Sequence, residues 1–213
     1  MMKIPTPLAN VRTSIVLAGS LVLAGCVSLG GSGEPPESLL TLTPSASAPV
    51  GSGVVSGIEG SAGSIAVLTP EVPAKLDVLR VPVNVSNNEV AYLQDTVWIQ
   101  KPARLFRSLL GETLRTASGD TQALLVLDTS DTPLRPTQTL RGTLIDMGYE
   151  PSSSSVVVRF EAVHTLDDGR VKSRRFEARE EGVLADAAEV GPALNAAANA
   201  VAKDVAAWVL AAE

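Results

Sequence analysis

The chain has 213 residues and a formal net charge of -6. Without its first 25 residues, which hold Lys3 and Arg12 and no acidic side chain, 15 basic side chains face 23 acidic ones. That balance repels a phosphate backbone, and no arginine-lysine stripe with interleaved aromatics is present, so the sequence argues against a nucleic-acid partner.

At the N-terminus, Lys3 and Arg12 precede the apolar run Ser14 to Gly25. The run is shorter than the ~20 residues a membrane span needs. A positive start, a short apolar core and small residues at its end describe an export signal over residues 1–25. Leu23-Ala24-Gly25-Cys26 resembles the lipobox read by the lipoprotein-processing machinery. Cleavage is then expected after Gly25, with acylation of the Cys26 thiol and retention on a membrane facing the periplasm. Each buried methylene contributes about 0.8 kcal/mol, so several acyl chains anchor firmly where one anchors marginally. Burial of Cys26 as a small hydrophobe in an ordinary helix is the competing reading. Val27, not Asp, stands second in the mature chain. In enterobacterial sorting that resembles an outer-membrane destination, with the inner membrane as the alternative. Once Cys26 is lipidated no thiol remains, so stability must come from a packed core in one domain.

Residues 26–62 are rich in Gly, Ser, Pro and Ala and read as a flexible tether, with a short strand near 38–42. The domain is expected over residues 63–213. Ser64–Leu68 reads as a strand, and Lys75–Val83 as a second one bounded by Pro73 and by the turn-prone Ser86-Asn87-Asn88. Val90–Leu93 and Thr96–Ile99 read as a short hairpin or an extended crossing around Gln94-Asp95. Pro102 stands where proline opens a helix. From Ala103 to Thr116, Leu105, Phe106, Leu109, Leu110 and Leu114 fall on one helical face.

Ala123–Leu127 is an apolar run of strand length. Thr139–Met147, Ser155–Leu166 and Val171–Glu181 then form an antiparallel meander, with Asp167-Asp168-Gly169-Arg170 as the turn between the last two. The last strand carries Lys172, Arg174, Arg175, Glu177, Arg179, Glu180 and Glu181, a solvated edge that discourages aggregation or a docking face. Val190, Leu194, Ala197, Val201, Val205 and Trp208 recur at helical spacing. They predict a long C-terminal helix capped by Asp186 or Gly191, with Pro192 tolerated only in its first turn.

In order along the chain, Val78-Leu79-Arg80-Val81, Val90-Ala91-Tyr92, Trp98-Ile99-Gln100-Lys101-Pro102, the helix after them, Ala193-Leu194-Asn195 and Asp204-Val205-Ala206-Ala207-Trp208-Val209 resemble the ABC-type transport auxiliary lipoproteins, the family that includes the lipoprotein of the paraquat-inducible operon. The resemblance implies a three-layer α/β domain with a mixed, largely antiparallel sheet, packed by an amphipathic central helix and a long C-terminal helix. It also implies a non-enzymatic accessory component of an MCE-type system, in which an ABC permease and ATPase move lipid or hydrophobic compounds. The implied partners are an MCE-domain protein and that permease, the membrane being held through the N-terminal acyl chains; assembly with further copies of the chain is left open. For Tyr92 and Trp98 core packing is the simpler reading, and a partner-facing role is the alternative.

Two other classes compete. Hydrolysis would have to be built from the only histidine, His164, with Ser152 to Ser155 and Asp167 or Asp168, but these serines lack a nucleophile-turn pattern. No catalytic residues are therefore expected. One histidine and one cysteine also cannot supply the usual zinc sets, so neither metal nor cofactor is expected. The remaining class is a stand-alone outer-membrane lipoprotein that binds lipid or assists envelope assembly.

Overall fold

The computed structural model describes residues 39–51, 63–119, 124–129 and 135–211. The predicted export signal, Leu23, Ala24, Gly25 and Cys26 lie outside the described residues. In chain order the elements are β1 (Ser64–Val67), a 3-10 turn (Ala74–Leu76), β2 (Arg80–Ser86), β3 (Glu89–Val97), α1 (Pro102–Ser118) and β4 (Leu125–Leu127). After them come β5 (Gln138–Glu150), a second 3-10 turn (Pro151–Ser153), β6 (Ser155–Thr165), β7 (Val171–Glu181) and α2 (Ala187–Leu210).

The thirteen residues of β5 organise the sheet. One edge pairs with β6 along its whole length, from Thr139 opposite Thr165 to Glu150 opposite Ser155. Two parallel strands share the other edge. β1 takes the start, Val67 opposite Leu140, and β2 takes the end, Val83 opposite Tyr149. Between them, Glu71 bridges to Thr143. β4 extends the sheet from β1, β3 from β2 and β7 from β6. The antiparallel pairs are the long ones, as the predicted meander requires. Gly169 (φ 85°) supplies the left-handed turn before β7, closed by bonds between Leu166 and both Gly169 and Arg170.

Both helices form for the predicted reasons. Pro102 occupies the first turn of α1, where its missing N–H costs nothing, and Leu105, Phe106, Leu109, Leu110 and Leu114 are all buried. Asp186 caps α2 by accepting from the Glu189 N–H at 3.0 Å. Val190, Leu194, Ala197, Val201 and Val205 are buried, and Trp208 is half-buried against Phe176 and His164. The helices touch each other as well as the sheet, so they lie side by side on one of its faces. An extended strap, residues 39–48, crosses them. Phe106 of α1 meets Phe160 of β6 edge to face, with ring centroids 5.1 Å apart.

Four local expectations need correction. Lys75 to Leu79 is not strand. The 3-10 turn drops Leu76 into the core and carries Lys75 to the buried carboxylate of Asp146, Nζ to Oδ2 at 3.0 Å, with Asn84 bonded to both. A buried carboxylate needs such partners, and that need outweighs the strand pattern. Val90–Ile99 is neither a hairpin nor a crossing, because Glu89–Val97 is one bulged strand. Of the predicted 123–127 strand, Leu125–Leu127 pair, Leu124 precedes the strand, and Ala123 lies outside the described residues. Pro192 sits beyond the first turn of α2. There it forfeits the bond to the Ala188 carbonyl, which is tolerable because both residues are exposed to water.

Gly142 packs where a side chain has no room: a Cβ would collide with the Glu161 carbonyl and the Phe160 ring. Gly142→Ala is expected to lower the unfolding free energy by about 1–3 kcal/mol through overpacking. Urea titration would read this as a lower midpoint at unchanged slope.

Candidate functional site: the bulged hairpin and the strap across the helices

The hairpin of β2 and β3 has an uneven register. Arg80 faces Val97, yet Pro82 faces Tyr92, so β3 carries extra residues where β2 has none. The bulge centres on Asp95 (φ 51°), and the Thr96 hydroxyl closes it by donating to the Gln94 carbonyl at 2.8 Å. This bulge is the interruption that makes residues 90–99 read as two pieces.

On the α2 side, the bulge and the start of α2 enclose an open cleft of about 430 Å³ that includes Val83, Ala91, Leu93, Asp95 and Ala187, with Tyr92 and Gln94 also on its wall. A second hollow of about 210 Å³ adjoins it between Leu40, Asp95, Thr96 and Ala188. The predicted pair divides here. Trp98 is 1% exposed and belongs to the core, which corrects the partner-facing alternative for that residue. Among the described residues its indole Nε1–H has no hydrogen-bond acceptor. Tyr92 is half-buried, and the Arg80 guanidinium lies 4.1 Å above its ring centroid.

The strap lies within the predicted tether and begins where a short strand is expected near 38–42, at the Leu40 bridge to Trp98. The Leu40 N–H donates to the Val97 carbonyl, and the Leu40 carbonyl accepts from Ile99, both at 2.8 Å. The chain then crosses α2. The Thr43 and Ser45 N–H groups donate to the Asn195 and Asn199 side-chain oxygens at 2.8 Å, and the Asn199 amide returns a bond to the Thr43 carbonyl at 2.9 Å. On α1, the Ala48 N–H donates to Glu112 at 2.8 Å.

Arg115 fixes that glutamate (3.2 Å) and Asp128 (2.5 Å) together. Burial disfavours the Arg115 charge, but Asp128 and then Glu112 outweigh it and hold the guanidinium pKa above its ordinary value. Leu42 is buried, and Gly191 leaves room for Leu40, whose Cδ2 lies 2.7 Å from where a Cβ would stand. Beside the apolar patch at 38–42, the sequence holds one more signal, the Asn195, Asn199 pair, a turn apart on an alanine-rich helix.

Three charges of β7 stand in cross-strand pairs. Arg175 meets Glu161, Arg159 meets Glu177 at 2.6 Å, and Arg179 meets Glu150 at 2.5 Å. The hydrogen bond from Arg159, against a smaller opposing effect of burial, lowers the Glu177 pKa below its ordinary 4.5. This arrangement matches the solvated-edge reading of β7.

The residues weighed for hydrolysis are not assembled. His164 is buried and bonds Gln138 through Nε2 at 2.7 Å. Ser155 begins the same strand, about 30 Å away at strand rise. Among the described residues no group of three or more His, Cys, Asp and Glu side chains is placed to hold a metal ion, and no helix is long and apolar enough to cross a membrane.

The family model described as the ABC-type transport auxiliary lipoprotein component matches residues 45–206. The chain belongs to this family. Among solved structures, protein XCC0632 from Xanthomonas campestris, of the DUF330 family, is similar at 17% identity and a TM-score of 0.63, over 81% of this chain and 94% of that one. The crystal structure of an uncharacterized protein is similar at 17% identity and a TM-score of 0.60, over 69% of this chain and 92% of that one. At such identity the likeness shows the fold. Among curated proteins none matches. This auxiliary lipoprotein thus combines a family tied to ABC-type transport with a domain whose N-terminal strap is bound to its helices.

Two outcomes test the geometry. Asn199→Ala removes two strap bonds, each worth about 0.5–1.5 kcal/mol, and should speed hydrogen exchange and proteolysis within residues 43–48 while leaving β5 and β6 protected. A lowered carboxyl pKa adds stability above the ordinary value and loses it as pH falls through the folded value. Glu177→Gln should therefore cost less than about 1 kcal/mol at neutral pH, since the pair is exposed. The gap to the wild type should shrink below pH 4.5 in denaturant titrations repeated across pH.

Proposed function

We propose that the protein is an accessory lipoprotein of an MCE-type ABC transport system for lipid or other hydrophobic compounds, anchored through acylated Cys26 in the outer membrane and facing the periplasm. The match of the family model over residues 45–206 carries this reading. Its support is the lipobox-like Leu23-Ala24-Gly25-Cys26 and an acidic domain without a nucleic-acid surface.

The role is binding, not catalysis. The protein engages an MCE-domain protein or the permease, and lipidation confines it to a layer beside the membrane. Confinement raises its effective concentration toward such a partner, so the contacts themselves need only be weak. The domain hydrogen-bonds its own N-terminal segment from Leu40 onward, which keeps it near the anchor.

The test is a pull-down of the tagged full-length protein from gently solubilised membranes, with mass spectrometry of what accompanies it and Cys26→Ala as control. Enrichment of an MCE protein or ABC permease is the expected result, together with loss of membrane retention in the control. Recovery of the protein alone or with bound lipid would replace this reading with the stand-alone, lipid-binding one.

A further inference from the structure

Nine large apolar side chains are exposed among the described residues, and three of them, Leu39, Val90 and Ile99, stand on adjoining segments: the start of the strap and β3 with its continuation. Side chains alternate across extended chain. Since Leu40 and Trp98 pair and Trp98 is in the core, Leu39 and Ile99 point the opposite way. They are 49% and 53% exposed. Arg80 faces Val97 on the neighbouring strand and stacks on Tyr92, which places the cation and the phenol on the same outer face. Val90, two residues before Tyr92, shares it.

Exposed aliphatic groups beside a tyrosine and an arginine match the chemistry of a lipid-water interface. The aliphatic groups enter the acyl boundary, the phenol sits at headgroup level, and the guanidinium reaches phosphate along its own apolar stem. The path of the chain points the same way. Leu39 is the first described residue, and residues 27–38 are all that separate it from Cys26. Twelve residues reach at most about 43 Å. The anchor therefore holds this end of the domain, and no other part as tightly, within reach of the bilayer.

We infer that the outer face of the β2–β3 hairpin, with Leu39 and Ile99 at its centre and Arg80 and Tyr92 beside them, rests on the phospholipid surface of the membrane that carries the anchor. This rests on the reading of Cys26 as the lipidated residue. Resting there leaves the opposite face of the hairpin, with the cleft at α2, turned away from the membrane.

The experiment uses the full-length lipidated protein in vesicles of phosphatidylethanolamine and phosphatidylglycerol that contain a doxyl-labelled phospholipid as quencher. Cys26, when acylated, takes no label, so Ile99→Cys and Val90→Cys each carry a single bimane. Val171→Cys, at the far turn and 58% exposed, is the reference. Quenching at 99 and 90 but not at 171 is expected, and adding Leu39→Asp with Ile99→Asp should abolish quenching at 90.

Equal quenching at 99 and 171 would overturn the inference, as would absence of quenching at 99 in vesicles together with protection of that label once an MCE protein is added. Mass spectrometry of the N-terminal peptide reads the anchor separately. If it carries no acyl chains, the anchoring reading fails by itself, and quenching of the same labelled variants with Cys26→Ala added, which leaves one thiol, mixed with the same vesicles still decides whether the face binds lipid.

Discussion

The structure depends on one strand serving two neighbours along a single edge. Because β1 and β2 both pair with β5 on the side away from β6, the chain between them must run beside β5 and then turn back. Glu71 makes that passage by bonding to both Gly142 and Leu144, and the 3-10 turn completes it with Leu76 buried and Lys75 on Asp146. The crowding falls where β5 has glycine. A Cβ at Gly148 would stand 2.5 Å from the Pro82 carbonyl oxygen, so β2 approaches β5 closely only because that side chain is absent. Placing β2 at the far end of the edge sends the β2–β3 hairpin outward, one face toward α2 and the other toward solvent.

The strap has a different kind of stability. Its bonds run from side chains of both helices to its own backbone, across 64 to 156 positions of sequence. Asparagine suits this task because one side chain both accepts from and donates to an extended backbone, as Asn199 does with Ser45 and Thr43. The apolar contribution is small by comparison, Leu42 and Leu40 against the helices. Order in the strap thus depends on the helices being in place first, whereas the helices bury their faces against the sheet without it.

That difference explains what the sequence disclosed. α1, α2 and the meander were legible because each carries its own signal: an apolar stripe behind Pro102, a repeat of Val, Leu and Ala after Asp186, and alternation closed by an aspartate-glycine turn. These signals are local, and burial obeys them. The 3-10 turn at Ala74–Leu76 was not legible, because its cause is a carboxylate 71 residues away on β5. The bulge in β3 showed only as an interruption, since register is a property of the pair and not of one strand. In the candidate site, Tyr92 is half-buried beneath Arg80, while Trp98 is covered and pairs with Leu40, a contact between segments that neither of them encodes alone.

The strap also sets how far the domain ranges from its anchor once Cys26 is taken as that anchor. If residues 27–62 were free they would span up to about 130 Å, whereas docking of the strap leaves only residues 27–38 and about 43 Å. A handful of hydrogen bonds on Asn195, Asn199 and Glu112, each worth about 0.5–1.5 kcal/mol net, separates these regimes. The volume open to a tethered body grows steeply with its reach, so the shorter leash concentrates the domain near the bilayer and favours weak contacts made there. The same bonds fix which end is held, because the strap meets the domain beside Val97 and Ile99 and nowhere else before it crosses α2. With Cys26 as the anchor, the three parts would act in series: the anchor confines the chain, the strap shortens its reach, and the hairpin beside the strap carries the apolar face.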